Sequence, residues 1–259
     1  MISITKANNQ WPLSKQIGLT ITLSIIFCLI FFAHTPMTTY LFQYGIFSIF
    51  SISIVLKAIG GSKLFNYPFS SKPINFLKIA ACLSFFFVML ICGTPLSFWY
   101  ALHSKHILLI AATAITAGFS EEALFRGLLF SIFLKILQRR HSQTMFTYAT
   151  VFSSLLFGFY HFVNFTGNNF LPVVAQVSYA FSFGLFFCFT RIAFNTLVIP
   201  IALHIYLDFQ VTTLNAVSTS INWLTGSLTF LLIIISTIMY LLVVDKHLKS
   251  AYVSVSRDL

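Results

Sequence analysis

Residues 120–130 read Ser-Glu-Glu-Ala-Leu-Phe-Arg-Gly-Leu-Leu-Phe, placing two adjacent carboxylates and a guanidinium inside a long apolar stretch. The chain holds only five acidic residues: Glu121, Glu122, Asp208, Asp245 and Asp258. Charged groups within an apolar span are costly and face a bundle interior or a polar cavity. Glu122 and Arg126 stand at helical i,i+4 spacing and suit an ion pair, which leaves Glu121 unpaired. Later apolar stretches carry Phe157-Gly-Phe-Tyr-His161 and His204-Ile-Tyr-Leu-Asp208. On a helix His204 and Asp208 share one face. Pro200 removes the hydrogen bond to the carbonyl of Thr196 and opens space beside His204. Two glutamates, two histidines and an aspartate are the groups that activate water. A carboxylate serves as general base; a histidine orients the water, ligates a metal or donates to a developing oxyanion. A purely structural reading explains Glu122 and Arg126 as an ion pair and the histidines as interfacial residues, and leaves Glu121 over.

The elements that must position these groups are membrane helices. The 259 residues are 58% hydrophobic and 8% charged, against about 25% charged in soluble domains. Apolar segments of about 20 residues recur along the whole length, so the expectation is an all-α, polytopic, single integral-membrane domain over 1–259. Eight spans are expected, near 16–34, 40–57, 76–93, 106–135, 144–162, 172–190, 196–215 and 226–244, with the site between the fourth, fifth and seventh. With the N-terminus inside, Lys105 is the one basic residue in an outer segment and Arg126 the one within a span. The other thirteen of the fifteen Lys and Arg residues, Arg191 among them, fall in inner segments. This asymmetry puts both termini in the cytoplasm. It also explains the net charge of +10 as membrane topology, with no nucleic-acid partner.

The fourth span would run about 45 Å at 1.5 Å per residue, longer than a hydrocarbon core of about 30 Å. It must tilt, break or extend into water, and Gly118 with Ser120 is the expected weak point. The stretch from Gly60 to Asn75, with Gly-Gly, Asn-Tyr-Pro and Ser-Ser-Lys-Pro, reads as a polar loop. Cys28, Cys82, Cys92 and Cys188 follow neither a zinc-ligand nor a disulfide pattern and read as small buried packing residues. Lys6 and Lys15 precede an apolar run without a small-residue cleavage site, which reads as an uncleaved first span.

Glu121-Glu122-Ala-Leu-Phe-Arg126-Gly127, Phe157-x-x-x-His161 and His204-x-x-x-Asp208 resemble the three motifs of the CAAX prenyl protease and bacteriocin-processing family, CPBP or Abi. That pattern is Glu-Glu-x-x-x-Arg, Phe-x-x-x-His and His-x-x-x-Asn or Asp, and the resemblance covers a core of about 106–215. It implies a membrane-embedded endopeptidase, glutamate- or metal-dependent. On that analogy Glu121 and His161 activate water, Glu122 with Arg126 organises the site, and His204 with Asp208 binds the substrate carbonyl, the oxyanion or a metal. The third motif ends here in Asp208; an ionised carboxylate cannot donate to an oxyanion, so Asp208 more naturally orients His204 or ligates a cation. Zinc held by His161, His204 and Glu121 is the tentative cofactor, with a metal-free mechanism equally open.

The residues themselves assign different tasks to the two glutamates. Successive helix positions point about 100° apart. Glu122, paired with Arg126, makes an anchor. Glu121, with Phe125 one turn on and Ala117 one turn back, has the apolar setting of a general base. The expected partners are membrane lipids and a membrane-associated or lipidated peptide or protein, and the expected location is a bacterial cell membrane.

Other readings explain less. No His-Glu-x-x-His is present, which disfavours a site-2 zinc protease. Gly118-Phe-Ser120-Glu only superficially matches a rhomboid nucleophile and leaves Glu122, Arg126 and His161 idle. Haem ligation by histidines on two spans leaves the acids unexplained. A proton- or ion-coupled transporter and a non-catalytic immunity or binding protein on the same scaffold stay open as alternatives.

Overall fold

Within hydrocarbon the backbone must satisfy its own N–H and C=O groups, so uninterrupted apolar runs become helices. A computed structural model describes residues 10–32, 36–66, 69–168, 170–210 and 223–257, and all regular structure among them is helical. In chain order the helices are α1 (Leu13–Phe31), α2 (Met37–Ile59), α3 (Lys72–Ile91), α4 (Thr94–Leu102) and α5 (Ile107–Glu122). A π-helical segment (Ala123–Leu129) leads into α6 (Phe130–Arg139), followed by α7 (Met145–Tyr160) and a 3₁₀ turn (His161–Asn164). The chain continues as α8 (Phe170–Ala193), α9 (Val198–Asp208) and α10 (Trp223–Arg257). Local chemistry sets the ends. Pro36 precedes α2, Pro73 and Pro95 sit in the first turns of α3 and α4, and Gly60 closes α2 at φ 78°.

Seven helices among the described residues are long and apolar enough to cross a membrane. They correspond to the first six expected spans and the last. The remaining one is represented by α9, 11 residues long; the rest of the expected 196–215 stretch lies largely outside the described residues. Large apolar side chains such as Ile21, Leu29, Phe42, Leu83 and Leu108 point outwards, as a lipid-facing surface requires. Inside, one apolar cluster joins α3, α6, α7, α8 and α10, with Phe85 and Phe186 stacked at 4.1 Å. A second joins α1, α2, the π segment and α7.

Four expectations need correction. The fourth span extends over Ile107–Arg139, and it does not break at Gly118 or Ser120. Gly118 stays helical because α9 packs onto it: a Cβ there would lie 2.5 Å from Cγ1 of Ile205. The irregularity comes later, at Ala123–Leu129, where neighbouring side chains take up loosened carbonyls. Ser153 Oγ donates to Phe125 O at 2.8 Å, and Ser131 Oγ donates to Gly127 O at 2.6 Å.

Arg191 is a buried residue of α8, not an inner-loop charge, and its Nη1 donates to the same Gly127 carbonyl at 3.3 Å. The segment after α3 contains α4, whose exposed Leu96, Trp99 and Tyr100 suit a membrane interface. The loop after α2 is only partly polar. Leu64 and Phe65 are buried, because the Asn195 amide accepts from both backbone N–H groups and donates to Phe65 O. Of the cysteines only Cys188 is buried; Cys28 and Cys92 are exposed.

Asp245 also reaches into the fold from α10. Its carboxylate accepts from Phe146 N, Thr147 N and Thr147 Oγ1 at 3.0, 3.0 and 2.7 Å. It thereby satisfies first-turn N–H groups of α7 that have no intrahelical partner, and fixes the helix that ends at His161.

Candidate active site

Glu122 is the last residue of α5 and is fully buried, as is Arg126 one turn on. Arg126 Nη1 donates to Glu122 Oε1 at 2.8 Å. The guanidinium lies 4.0 Å from the centroid of the Phe157 ring and 5.0 Å from that of Phe187, so its flat faces are covered by π-systems. Glu122 Oε1 accepts a second bond, from His204 Nδ1 at 2.7 Å. An ionised carboxylate only accepts, which puts a proton on Nδ1.

The opposite side of the imidazole faces two more carboxylates. His204 Nε2 is 3.3 Å from Asp208 Oδ2 and 3.8 Å from Glu121 Oε2. Phe187 stacks on the ring at 5.3 Å and Phe157 meets it edge-on at 5.8 Å. His204 is thereby fixed by hydrogen bonds at its edge and by aromatic rings beside it.

Glu121 differs from its neighbour in every respect. It makes no arginine pair among the described residues, keeps 14% of its side chain exposed, and reaches His204 only at 3.8 Å. Ser120 Oγ and Tyr44 Oη share a hydrogen bond of 3.0 Å, tying α5 to α2 next to this carboxylate.

His161 begins the 3₁₀ turn after α7. Its Nδ1 is 2.9 Å from Phe157 O, which can only accept, so Nε2 is the unprotonated nitrogen of the neutral ring. The ring meets Phe157 edge-on at 4.9 Å. Phe157 therefore touches both site histidines and Arg126.

The fold thus brings Glu121, Glu122, Arg126, His204 and Asp208 into direct contact, with His161 beside them across Phe157. Among the described residues Glu121 and His161 do not come within ion-pair distance; the carboxylate's ion-pair contact is with His204. No three His, Cys, Asp or Glu side chains among the described residues converge as a metal site would require. Of the tentative zinc ligands, His161 and His204 hydrogen-bond through Nδ1 to Phe157 O and Glu122, which leaves Nε2 of each as the nitrogen that would face a cation.

Sequence reasoning missed two supports of this arrangement. Arg191 Nη2 approaches Ser131 Oγ at 3.3 Å while Nη1 holds Gly127 O, pinning the π segment that carries Arg126. Its position close to a span end gave it the appearance of a topology charge. Gly127 lets α2 approach: a Cβ there would meet Val55 Cγ1 at 2.5 Å. The glycine stands in the first motif, which is the signal that would have found it.

Residues 103–210 match the family model described as Type II CAAX prenyl endopeptidase Rce1-like. The matched segment contains all six residues of the site. No curated protein and no solved structure matches the chain.

Proposed function

Because its site-bearing segment matches the model of the Rce1-like type II CAAX prenyl endopeptidases, we propose that this chain is an intramembrane endopeptidase that uses Glu121 as general base. The reading rests chiefly on the division of labour between the adjacent glutamates. Glu122 is locked by Arg126 and His204 at 2.8 and 2.7 Å, while Glu121 keeps its carboxylate uncommitted beside them.

In this mechanism a water molecule sits between Glu121 and His161 Nε2. Glu121 takes the proton as the water oxygen attacks the scissile carbonyl carbon. The proton then passes to the departing amine as the C–N bond breaks. Glu122 and Arg126 act as an anchor that holds His204 against the reacting groups, and Asp208 fixes the other edge of that imidazole. Every proton movement is handled by side chains of this chain; a bound cation would add polarisation of the carbonyl.

The substrate class follows from location. A site within a helical bundle is reached by a peptide already at the membrane, and the family points to lipidated C-termini. Without the buried Arg191, twelve inner basic residues still stand against Lys105, which supports cytoplasmic termini.

Purified protein in liposomes, given a quenched-fluorescent peptide ending in a farnesylated CAAX sequence, should release the C-terminal tripeptide. It should do so with well under one equivalent of any transition metal bound. Activity that requires stoichiometric metal would replace the metal-free mechanism, and absence of cleavage beyond a Glu121→Gln control would remove the peptidase reading.

A further inference from the structure

The motif residues provide few N–H or O–H groups for a developing oxyanion. Asp208 ends the third motif and, ionised, only accepts. His204 directs Nδ1 at Glu122 and Nε2 at Asp208, at 2.7 and 3.3 Å. His161 commits its Nδ1 proton to Phe157 O at 2.9 Å, leaving Nε2 as an acceptor. Arg126 is fully buried, paired with Glu122 and covered by Phe157 and Phe187. Hydrolysis needs a donor where negative charge gathers on the carbonyl oxygen; the histidine protons are engaged elsewhere, and the unpartnered Nε and Nη2 of Arg126 are fully buried against the Phe157 and Phe187 rings.

Tyr160 has such a proton. It immediately precedes His161 and packs edge-on against Phe125, one turn after Glu121, at 5.3 Å. Its ring also contacts Phe27 at 5.1 Å and His161 at 6.1 Å. Its Oη is buried and has no hydrogen-bond partner among the described residues. Buried hydroxyls are as a rule hydrogen-bonded, and an exception calls for a reason. The neighbouring Tyr44 is not equivalent, because its hydroxyl is tied to Ser120 at 3.0 Å.

On the peptidase reading above, on which this inference rests, we propose that Tyr160 Oη–H is the hydrogen-bond donor to the scissile carbonyl oxygen. As the water oxygen bonds to the carbonyl carbon, the C=O π pair moves onto oxygen and Glu121 takes the water's proton. Tyr160 donates a hydrogen bond to the resulting oxyanion and keeps its own proton. The C=O bond then re-forms, the C–N bond breaks, and the proton on Glu121 leaves with the amine. The tyrosine thus supplies the donation that an asparagine at position 208 would otherwise make.

The test is Tyr160→Phe, which deletes one atom and keeps the ring on Phe125 and Phe27. Wild type, Tyr160→Phe and Glu121→Gln are compared in liposomes on the farnesylated fluorogenic peptide. Tyr160→Phe should lower kcat about 10²–10³-fold, the loss typical of one oxyanion donor. KM should change little, and the unfolding temperature should not fall, since the hydroxyl has no partner to lose. A kcat within about threefold of wild type, or a loss carried by KM alone, overturns the proposal. A lowered unfolding temperature assigns the hydroxyl a structural partner and overturns it as well. Should Glu121→Gln be inactive and Tyr160→Phe normal, only the tyrosine's role falls. Should Glu121→Gln match wild type, the peptidase reading falls and takes the tyrosine's role with it.

Discussion

Replacing Glu122 by glutamine is the sharpest perturbation of the anchor, because one oxygen serves two donors. Glu122 Oε1 accepts from Arg126 Nη1 at 2.8 Å and from His204 Nδ1 at 2.7 Å, while Oε2 is buried with no partner among the described residues. In Glu122→Gln the amide oxygen can keep both contacts, but the NH₂ takes the place of Oε2, where no acceptor waits. Hydrogen bonds to charged groups contribute about 1.5–3 kcal/mol against about 0.5–1.5 for neutral ones. Two of them weaken, and Arg126 keeps a buried charge without its counter-charge. Breaking a buried pair from one side costs about 3–5 kcal/mol. At about 2–4 °C per kcal/mol for a domain of this size, Tm should fall by about 6–20 °C, together with yield and activity. Thermal unfolding in detergent measures it. Because exchanging both members of a buried pair for apolar groups is tolerated better than removing one, Glu122→Leu/Arg126→Met should be more stable than Glu122→Gln. A Glu122→Gln protein with wild-type Tm would refute the anchor role.

Two other outcomes follow from the geometry. Gly127→Ala should destabilise by about 1–3 kcal/mol, as overpacking does, because the new Cβ meets Val55 Cγ1 at 2.5 Å; Val55→Ala should restore the loss, and a single variant as stable as wild type would disprove the contact. In a cysteine-free background, Ser62→Cys should be shielded from an impermeant reagent in intact cells and Asn168→Cys labelled; the reverse pattern would invert the topology.

Local spacing was readable because a helix converts i,i+4 into contact. Glu122 with Arg126, and His204 with Asp208, are such pairs. The link between them was not readable: Glu122 and His204 are 82 residues apart, and only packing of α9 against Gly118 brings them together. The π segment was hidden for a related reason. Ala-Leu-Phe-Arg-Gly-Leu-Leu is as suited to an α-helix, and the turn widens because Ser153, Ser131 and Arg191 hold its carbonyls. Membrane helices are apolar on both buried and lipid-facing sides, so periodicity does not report which face turns inward. That is why Arg191, close to a span end, reads as an inner-segment charge although the fold buries it.

The most direct test of the central claim is the turnover of Glu121→Gln on the farnesylated peptide, measured beside its thermal unfolding. The side chain's ion-pair contact among the described residues is with His204 at 3.8 Å, so the substitution should leave Tm near wild type. Loss of the general base should lower kcat about 10²–10⁴-fold. A well-folded Glu121→Gln protein that cleaves at a near-normal rate would contradict the account and return the glutamate pair to a structural role.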